Sequence, residues 1–376
     1  MVNFDQLKVA IAHYWLIKER GGEKVLKNLL EIFPQADVYT LFYEQKNFEK
    51  MLKGHRVFSS YLDHAWLRSH YTKLFPLYPS AVKSLNLADS YDLIISSESG
   101  PVKGICKPKN TPHICFTHTP MRYCWGYTNE YTRNFPSLLR SIVSKAFERL
   151  KLYDKTTIKN VDTYLANSNN VSERIKMYYQ RDSIVVHPPL EDHVLDRSLL
   201  KSRPKNDTFL SFGALVPYKR IDLLVDCFNQ RKEKLIIVGE GSERIKLEAK
   251  ANNNIQFMGS LAWHKIAELM ETSQALLFPG EEDFGIIPLE AMALGCPVIA
   301  YAKGGALETV HWSGRASTSS GLFFKSQTIE AIHEVIKTFH NLEDEFDPNW
   351  MRDYTKNFSQ SKFKSEIKKQ VKAILS

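Results

Sequence analysis

Residues 275–301 read ALLFPGEEDFGIIPLEAMALGCPVIAY. An apolar run over 275–279 has the length of a buried strand. A polar loop follows, rich in acids. Pro288 suits the first turn of a helix, because its missing N–H has no acceptor there anyway. A second apolar run, 297–301, reads as the next strand. Strand, helix and strand in this order make one unit of a parallel sheet.

Outward from this unit the same alternation recurs. Toward the N-terminus, 209–215, 234–239 and 255–258 read as strands with helical stretches between them. His187-Pro188-Pro189 stops the pattern, since proline restricts both itself and its predecessor. Before that break a second series appears, at 7–15, 38–43, 92–97, 113–118, 163–168 and 183–187. Between its first two strands, apolar residues at 25, 26, 29, 30, 32 and 33 form a wide helical stripe. The expected fold class is therefore α/β, with two doubly wound, Rossmann-like domains. The expected division is 1–190 for the first domain, 191–207 for a polar linker and 208–355 for the second domain. A Lys-rich amphipathic helix over 356–376 closes the chain.

Composition narrows the possibilities. The 376 residues are 43% hydrophobic and 24% charged, ordinary for a globular protein of two domains. No run of 18 apolar residues occurs, and Asp5 and Lys8 interrupt any signal-peptide pattern. The five cysteines are odd in number and form no C-x-x-C pair, which predicts reduced thiols in a cytoplasmic protein. Neither zinc spacing nor a D-x-D pair is evident, so no metal is expected. The formal net charge is +8. Residues 1–200 carry 27 basic and 20 acidic side chains, and the remainder 23 and 22. The first half thus suits an anionic partner.

Ligands of doubly wound sheets sit at the carboxyl ends of the strands. Four clusters stand there. Arg20-Gly21-Gly22-Glu23 follows the first strand and opens a helix, where small residues admit a ligand close to free N–H groups. His118 and Arg122 follow the strand at 113–118, a neutral or cationic ring beside a permanent cation. Lys219 and Arg220 follow the first strand of the second half. Glu282 and Glu290 flank the turn into the helix of the opening stretch, where carboxylates accept paired hydrogen bonds from vicinal hydroxyls. The pattern is not G-x-G-x-x-G, which weighs against a dinucleotide oxidoreductase.

At these residues the sequence resembles the retaining, nucleotide-sugar-dependent family 4 glycosyltransferases of the GT-B fold. The E-D-F-G-I-I-P-L-E stretch from Glu282 to Glu290 carries the resemblance most specifically. Arg20-Gly21-Gly22-Glu23-Lys24, His118-Thr119-Pro120-Met121-Arg122-Tyr123 and Val216-Pro217-Tyr218-Lys219-Arg220 extend it to a bacterial O-antigen and capsule mannosyltransferase-like subgroup. The resemblance implies two domains facing a central cleft, with the last helix crossing back to the first domain.

The resemblance also implies roles. Glu290 would bind the ribose, and Glu282 with the amides of Phe284, Gly285 and Ile286 would hold the donor sugar. Lys219 would neutralise the leaving diphosphate, with Gly21 and Gly22 against it. His118 would approach the sugar, and Arg122 the acceptor. Gly239, Glu240, Ser260 and Leu261 would lie near the nucleoside. One position departs from the family pattern. Ala214 stands where many members have an arginine, and Arg220 is the candidate for the missing second cation.

The implied co-substrate is a nucleotide sugar, with GDP-mannose favoured over UDP-linked sugars. The implied acceptor is a glycan or polyprenyl-diphosphate-linked oligosaccharide, met at the cytoplasmic face of the inner membrane. No nucleic-acid partner is expected. A sugar-nucleotide epimerase and a non-catalytic nucleotide-binding scaffold remain alternatives. Residues 133–159 hold seven basic and two acidic side chains, with an apolar stripe at Leu138, Leu139, Ile142, Val143, Phe147 and Leu150. This segment reads either as a helix on an anionic membrane or as one packed on its own domain.

Overall fold

The computed structural model describes residues 3–87, 91–126, 128–132, 136–200 and 207–376. Two compact units form, one from Met1–Pro189 with Ser361–Ser376, the other from Leu190–Gln360. Both are parallel sheets with helices in the connections, the GT-B class of α/β architecture.

In the first unit the strands are β1 (Val9–His13), β2 (Asp37–Thr40), β3 (Val57–Ser59), β4 (Leu93–Glu98), β5 (His113–Thr117), β6 (Thr163–Ala166) and β7 (Ile184–Val185). Their order is β3-β2-β1-β4-β5-β6-β7, so the winding reverses between β1 and β4. Every residue of β1, β4 and β5 is buried, as expected for parallel strands covered on both faces. The helix Gly21–Ile32 sends Val25, Leu26, Leu29 and Leu30 into this core. The C-terminal helix Gln360–Leu375 belongs to this unit. Its Phe363, Ile367 and Val371 are buried with Phe116 and Leu29, and Lys364 pairs with Glu31 at 2.5 Å.

The second unit runs β8 (Thr208–Phe212), β9 (Lys234–Val238), β10 (Ile255–Gly259), β11 (Leu276–Phe278), β12 (Val298–Tyr301) and β13 (Gly321–Phe324). Its order is β10-β9-β8-β11-β12-β13, with the reversal between β8 and β11. The stretch quoted at the outset is β11, the helix Ile286–Ala293 and β12, as its sequence predicts.

The structure differs from expectation at several places. Strands β3 and β13 are additional. The segment 191–207 begins as part of the second unit rather than as a bare linker. Leu190 and Val194 are fully buried in its core, and Arg197 pairs with Glu271. Residues 201–206 of that segment lie outside the described residues. Before the last helix, Pro348–Thr355 forms a separate helix capped by Asp347.

The segment 133–159 forms the helix Ser137–Thr157, but the predicted apolar stripe divides. Phe147 and Leu150 turn inward, while Leu139 and Ile142 stay exposed. Arg133 and the side chain of Leu138 lie outside the description. Cys115, Cys124, Cys227 and Cys296 are buried free thiols, and Cys106 is an exposed one. No helix among the described residues is long and apolar enough to cross a membrane.

Candidate functional site

The candidate residues fall into two groups, one in each unit, and both gather at strand carboxyl ends beside the point where the winding reverses.

In the first unit the site starts where β1 ends. Gly21 and Gly22 open the helix Gly21–Ile32, whose first N–H groups have no intrahelical acceptor. Glu23 caps this start by accepting from the Arg20 N–H at 2.8 Å. Its other carboxylate oxygen lies 3.5 Å from His13 Nε2, with both side chains fully buried. Gly22 is confined: a β-carbon there would sit 2.9 Å from Tyr14 Oη and 3.4 Å from His118 Nε2. A space without side chain therefore separates the helix start from the two rings.

His118 follows β5. Its backbone N–H donates to the Glu98 carbonyl at 2.7 Å, and its Nε2 is hydrogen-bonded with Ser97 Oγ at 2.9 Å. Burial, with His13 nearby, pulls the imidazole down to about 3, so the ring is neutral at physiological pH. A neutral ring fits hydrogen bonding to a sugar hydroxyl and is a poor proton acceptor. Arg122 lies half-buried in the following loop, which Met121, Cys124 and Trp125 anchor in the core.

Behind this loop lies a buried charge network. The Lys103 ammonium is paired with Asp154 and lies 3.4 Å from Glu98 Oε1. Trp125 Nε1 donates to Asp154 at 2.8 Å. Burial raises the Glu98 carboxyl to about 7, although Lys103 opposes the shift.

In the second unit, the loop after β8 bends through Gly213 into the short turn Pro217–Lys219. The loop after β11 comes against it, because Gly280 has no side chain. A β-carbon there would lie 2.9 Å from Lys219 Cα. The Lys219 ammonium consequently pairs with the Glu282 carboxylate, both side chains being mostly buried. Beyond Glu282, Gly285 takes φ +95°, a left-handed conformation suited to glycine, and the helix Ile286–Ala293 begins. Its first-turn amides and positive dipole end open on the loop that holds Glu282. Glu290 is buried in the same helix.

The nucleoside-side candidates lie on adjacent loops. A β-carbon at Gly239 would fall 1.9 Å from the Gly213 carbonyl oxygen, so the loops after β8 and β9 interlock only with glycine there. Glu240 pairs with Arg244, which also holds Glu248 at 2.8 Å. Ser260 is exposed and Leu261 half-buried just after β10. Arg220 takes a left-handed backbone (φ 54°). Its guanidinium is committed, to Gln327 at 3.0 Å and to Asp222 at 3.3 Å. Asp222 thus offsets part of its charge already.

Sequence reasoning missed Ser97, Tyr14 and His13 around His118, although all stand at ends of predicted strands. It also missed Gly280 and the pair Gly304-Gly305. A β-carbon at Gly305 would lie 2.2 Å from Phe284 Cα, and the Gly305 N–H donates to the Glu282 carbonyl at 2.8 Å. A Gly-Gly step after a strand, like that at 21–22, was the available signal.

Comparison with known proteins bears on these groups. The family model "Glycosyl transferases group 1" matches residues 196–358. The alpha-1,3/1,6-mannosyltransferase ALG2 of Saccharomyces cerevisiae is 25% identical over 321 residues, 70% of this chain and 63% of the relative. The O-antigen chain mannosyltransferase RfbU of Salmonella typhimurium is 23% identical over 235 residues, 58% of this chain and 64% of the relative. The chain thus spans less than two thirds of the length of either relative. Among solved structures, Anabaena Alr3699/HepE in complex with UDP superposes with a TM-score of 0.70 at 16% identity, over 98% of this chain and 100% of that one. Residues 196–358 thus match the group 1 glycosyl transferases, and the two-sheet plan is shared with that solved structure over almost the whole chain.

Proposed function

We propose that the protein is a retaining glycosyltransferase that moves mannose from GDP-mannose to a glycan or polyprenyl-diphosphate-linked oligosaccharide in the cytoplasm, in bacterial surface polysaccharide synthesis. The observation that carries this reading is the Lys219–Glu282 pair beside the start of the Ile286–Ala293 helix. A cation, a carboxylate and a helix N-terminus in one place match the needs of a sugar diphosphate. The mannosyltransferase relatives support the choice of sugar.

In the reaction the bond from the sugar C1 to the diphosphate oxygen breaks. A bond from C1 to the acceptor oxygen forms on the same face, and the acceptor proton passes to the leaving phosphate. The protein's part is electrostatic. Lys219 offsets the charge that develops on the diphosphate, and the amides at Phe284, Gly285 and Ile286 add dipoles. Glu282 receives hydrogen bonds from the sugar hydroxyls and Glu290 from the ribose. Neutral His118 bonds the sugar without taking its proton.

Thermal stabilisation by a nucleotide panel tests the reading, followed by turnover with labelled GDP-mannose and a lipid-linked acceptor pool. A shift with GDP and GDP-mannose, and labelled product, is expected. A shift with UDP compounds alone replaces the donor, a reading that the UDP-bound fold relative keeps in view. Conversion of the sugar without acceptor would indicate an epimerase. Binding of GDP without any turnover would indicate a scaffold.

A further inference from the structure

The loop from His118 to Trp125 carries two of the candidate residues, His118 and Arg122, and it is held at both ends. At its start the His118 N–H donates to the Glu98 carbonyl at 2.7 Å. At its end the Trp125 indole N–H donates to Asp154 Oδ2 at 2.8 Å. Between these ends the Cys124 and Trp125 N–H groups donate to the Met121 carbonyl at 2.9 and 3.0 Å, which closes the loop into one turn.

The two anchors come from different elements. Glu98 ends β4, and Asp154 lies in the helix Ser137–Thr157. One side chain joins them. Lys103, in the turn Val102–Gly104, is fully buried; its ammonium pairs with Asp154 and lies 3.4 Å from Glu98 Oε1. Its backbone N–H donates to Glu98 Oε2 at 2.8 Å. Tyr179, from the helix Asn169–Tyr179, meets the ammonium with its hydroxyl at 3.4 Å and its ring centroid at 4.8 Å. A strand, a turn and two helices thus converge on one buried cation.

A buried ion pair is a poor device for stability alone. Desolvation of an ammonium and a carboxylate cancels much of their attraction, and apolar side chains of the same volume often stabilise as well. Apolar side chains, however, offer no acceptor to the Trp125 indole and no fixed charge to orient one, whereas hydrogen bonds to a charged acceptor are short and strong. We infer that Lys103 is a positioning residue: by holding Glu98 and Asp154 it fixes both ends of the His118–Trp125 loop, and with them the places of His118 and Arg122. The consequence for transfer rests on the glycosyltransferase reading above; the tethering of the loop does not.

Two variants of the full chain test this. Trp125→Phe keeps an aromatic ring and removes the N–H that reaches Asp154. Lys103→Met/Asp154→Leu replaces the ion pair by apolar side chains and leaves no buried carboxylate at 154. Amide hydrogen exchange, read by mass spectrometry on peptides covering 117–126, reports the tether without any substrate. Both variants should exchange there about tenfold faster, as for the loss of one hydrogen bond to a charged group, with the peptides of β8 to β13 unchanged. Transfer of the labelled donor sugar that the nucleotide panel selects, to a lipid-linked acceptor pool, reads the consequence. Acceptor KM should rise about tenfold, while nucleotide-induced stabilisation stays that of the unaltered chain. Trp125→Phe combined with Arg122→Ala should lose little more than Arg122→Ala alone, because the tether acts through that side chain. Unchanged exchange over 117–126 in Trp125→Phe overturns the inference, and this variant decides if the double variant does not fold. Unaltered exchange and kinetics in Lys103→Met/Asp154→Leu make the pair a stabiliser only and overturn it too. Faster exchange with unchanged acceptor KM refutes the positioning of the site residues. Faster exchange in variants of a chain that turns over no nucleotide sugar supports the tether and refutes the transferase reading instead.

Discussion

Replacing Lys219 by alanine probes the centre of the proposed chemistry. The ammonium sits against Glu282 in a mostly buried setting, with the Phe278 ring centroid 5.8 Å away. At an effective dielectric of about 20 and a separation of ~5 Å, one unit charge on the leaving diphosphate interacts with a cation by about 3 kcal/mol. Part of that attraction already exists in the bound ground state and lowers KM. The part that grows as the phosphate leaves lowers the barrier and raises kcat. Together they predict a fall in kcat/KM of ~100–1000-fold, the range seen when one preorganised donor is removed.

The variant also leaves the Glu282 carboxylate without its cation, so some loss comes from repulsion. The double variant Lys219→Ala/Glu282→Gln removes that charge as well. It should recover donor affinity relative to Lys219→Ala while kcat stays low. The assay is initial-rate transfer from labelled GDP-mannose, with circular dichroism and melting temperature as controls of folding. A loss of less than about fivefold with folding intact would refute the assignment of Lys219.

Other predictions address separate parts. Gly22→Ala places a methyl group 2.9 Å from Tyr14 Oη and should cost about 1–2 kcal/mol of stability, read by denaturant titration, with a rise in donor KM as His118 is displaced. Arg220→Ala should raise donor KM by a smaller factor than Lys219→Ala, because Asp222 already balances its charge. An equal or larger kcat/KM loss would assign Arg220 the second-cation role. Stability should fall on acidification. Burial holds His113 at about 3, against 6.5 unfolded, so the unfolded chain binds more protons across that window. Stability therefore drops by up to roughly 1.4 kcal/mol per pH unit below 6.5 from this group, and His118 has the same sign. Glu98, raised to about 7, opposes this between 4.5 and 7, and His113→Asn should flatten the thermal-melt profile. Excess chelator should leave turnover unchanged if, as proposed, Lys219 supplies the positive charge at the diphosphate. A dependence on added divalent ions would contradict that role.

Much of the fold was legible because buried parallel strands are written as continuous apolar runs. The strands at 275–279 and 297–301 needed no tertiary information. Strand β3 did not show because its three residues, Val57–Ser59, lie on a sheet edge and none is buried, so no burial pattern marks them. Strand β13, Gly321–Phe324, opens on a glycine after a run of serines, a composition that reads as a turn. The 137–157 helix was legible, but the sequence left two orientations open, and in the structure its apolar stripe divides between core and surface. Periodicity places residues on a face but does not tell which face the core takes.

The sequence by itself determined local structure and chemistry: the helix and strand alternation, the turns where glycine is required, and the residue types at strand ends. These follow from backbone sterics and side-chain character within a few positions. Only the tertiary structure decided which ends became neighbours. The winding reverses between β8 and β11, and that reversal brings Lys219 against Glu282 across 63 positions of chain. The same kind of reversal between β1 and β4 sets Tyr14 and Gly22, which follow β1, against His118, which follows β5. Strand order depends on how the helical connections cross the whole sheet. No short stretch of sequence encodes it, so the separate motifs became two assembled sites only in the folded chain.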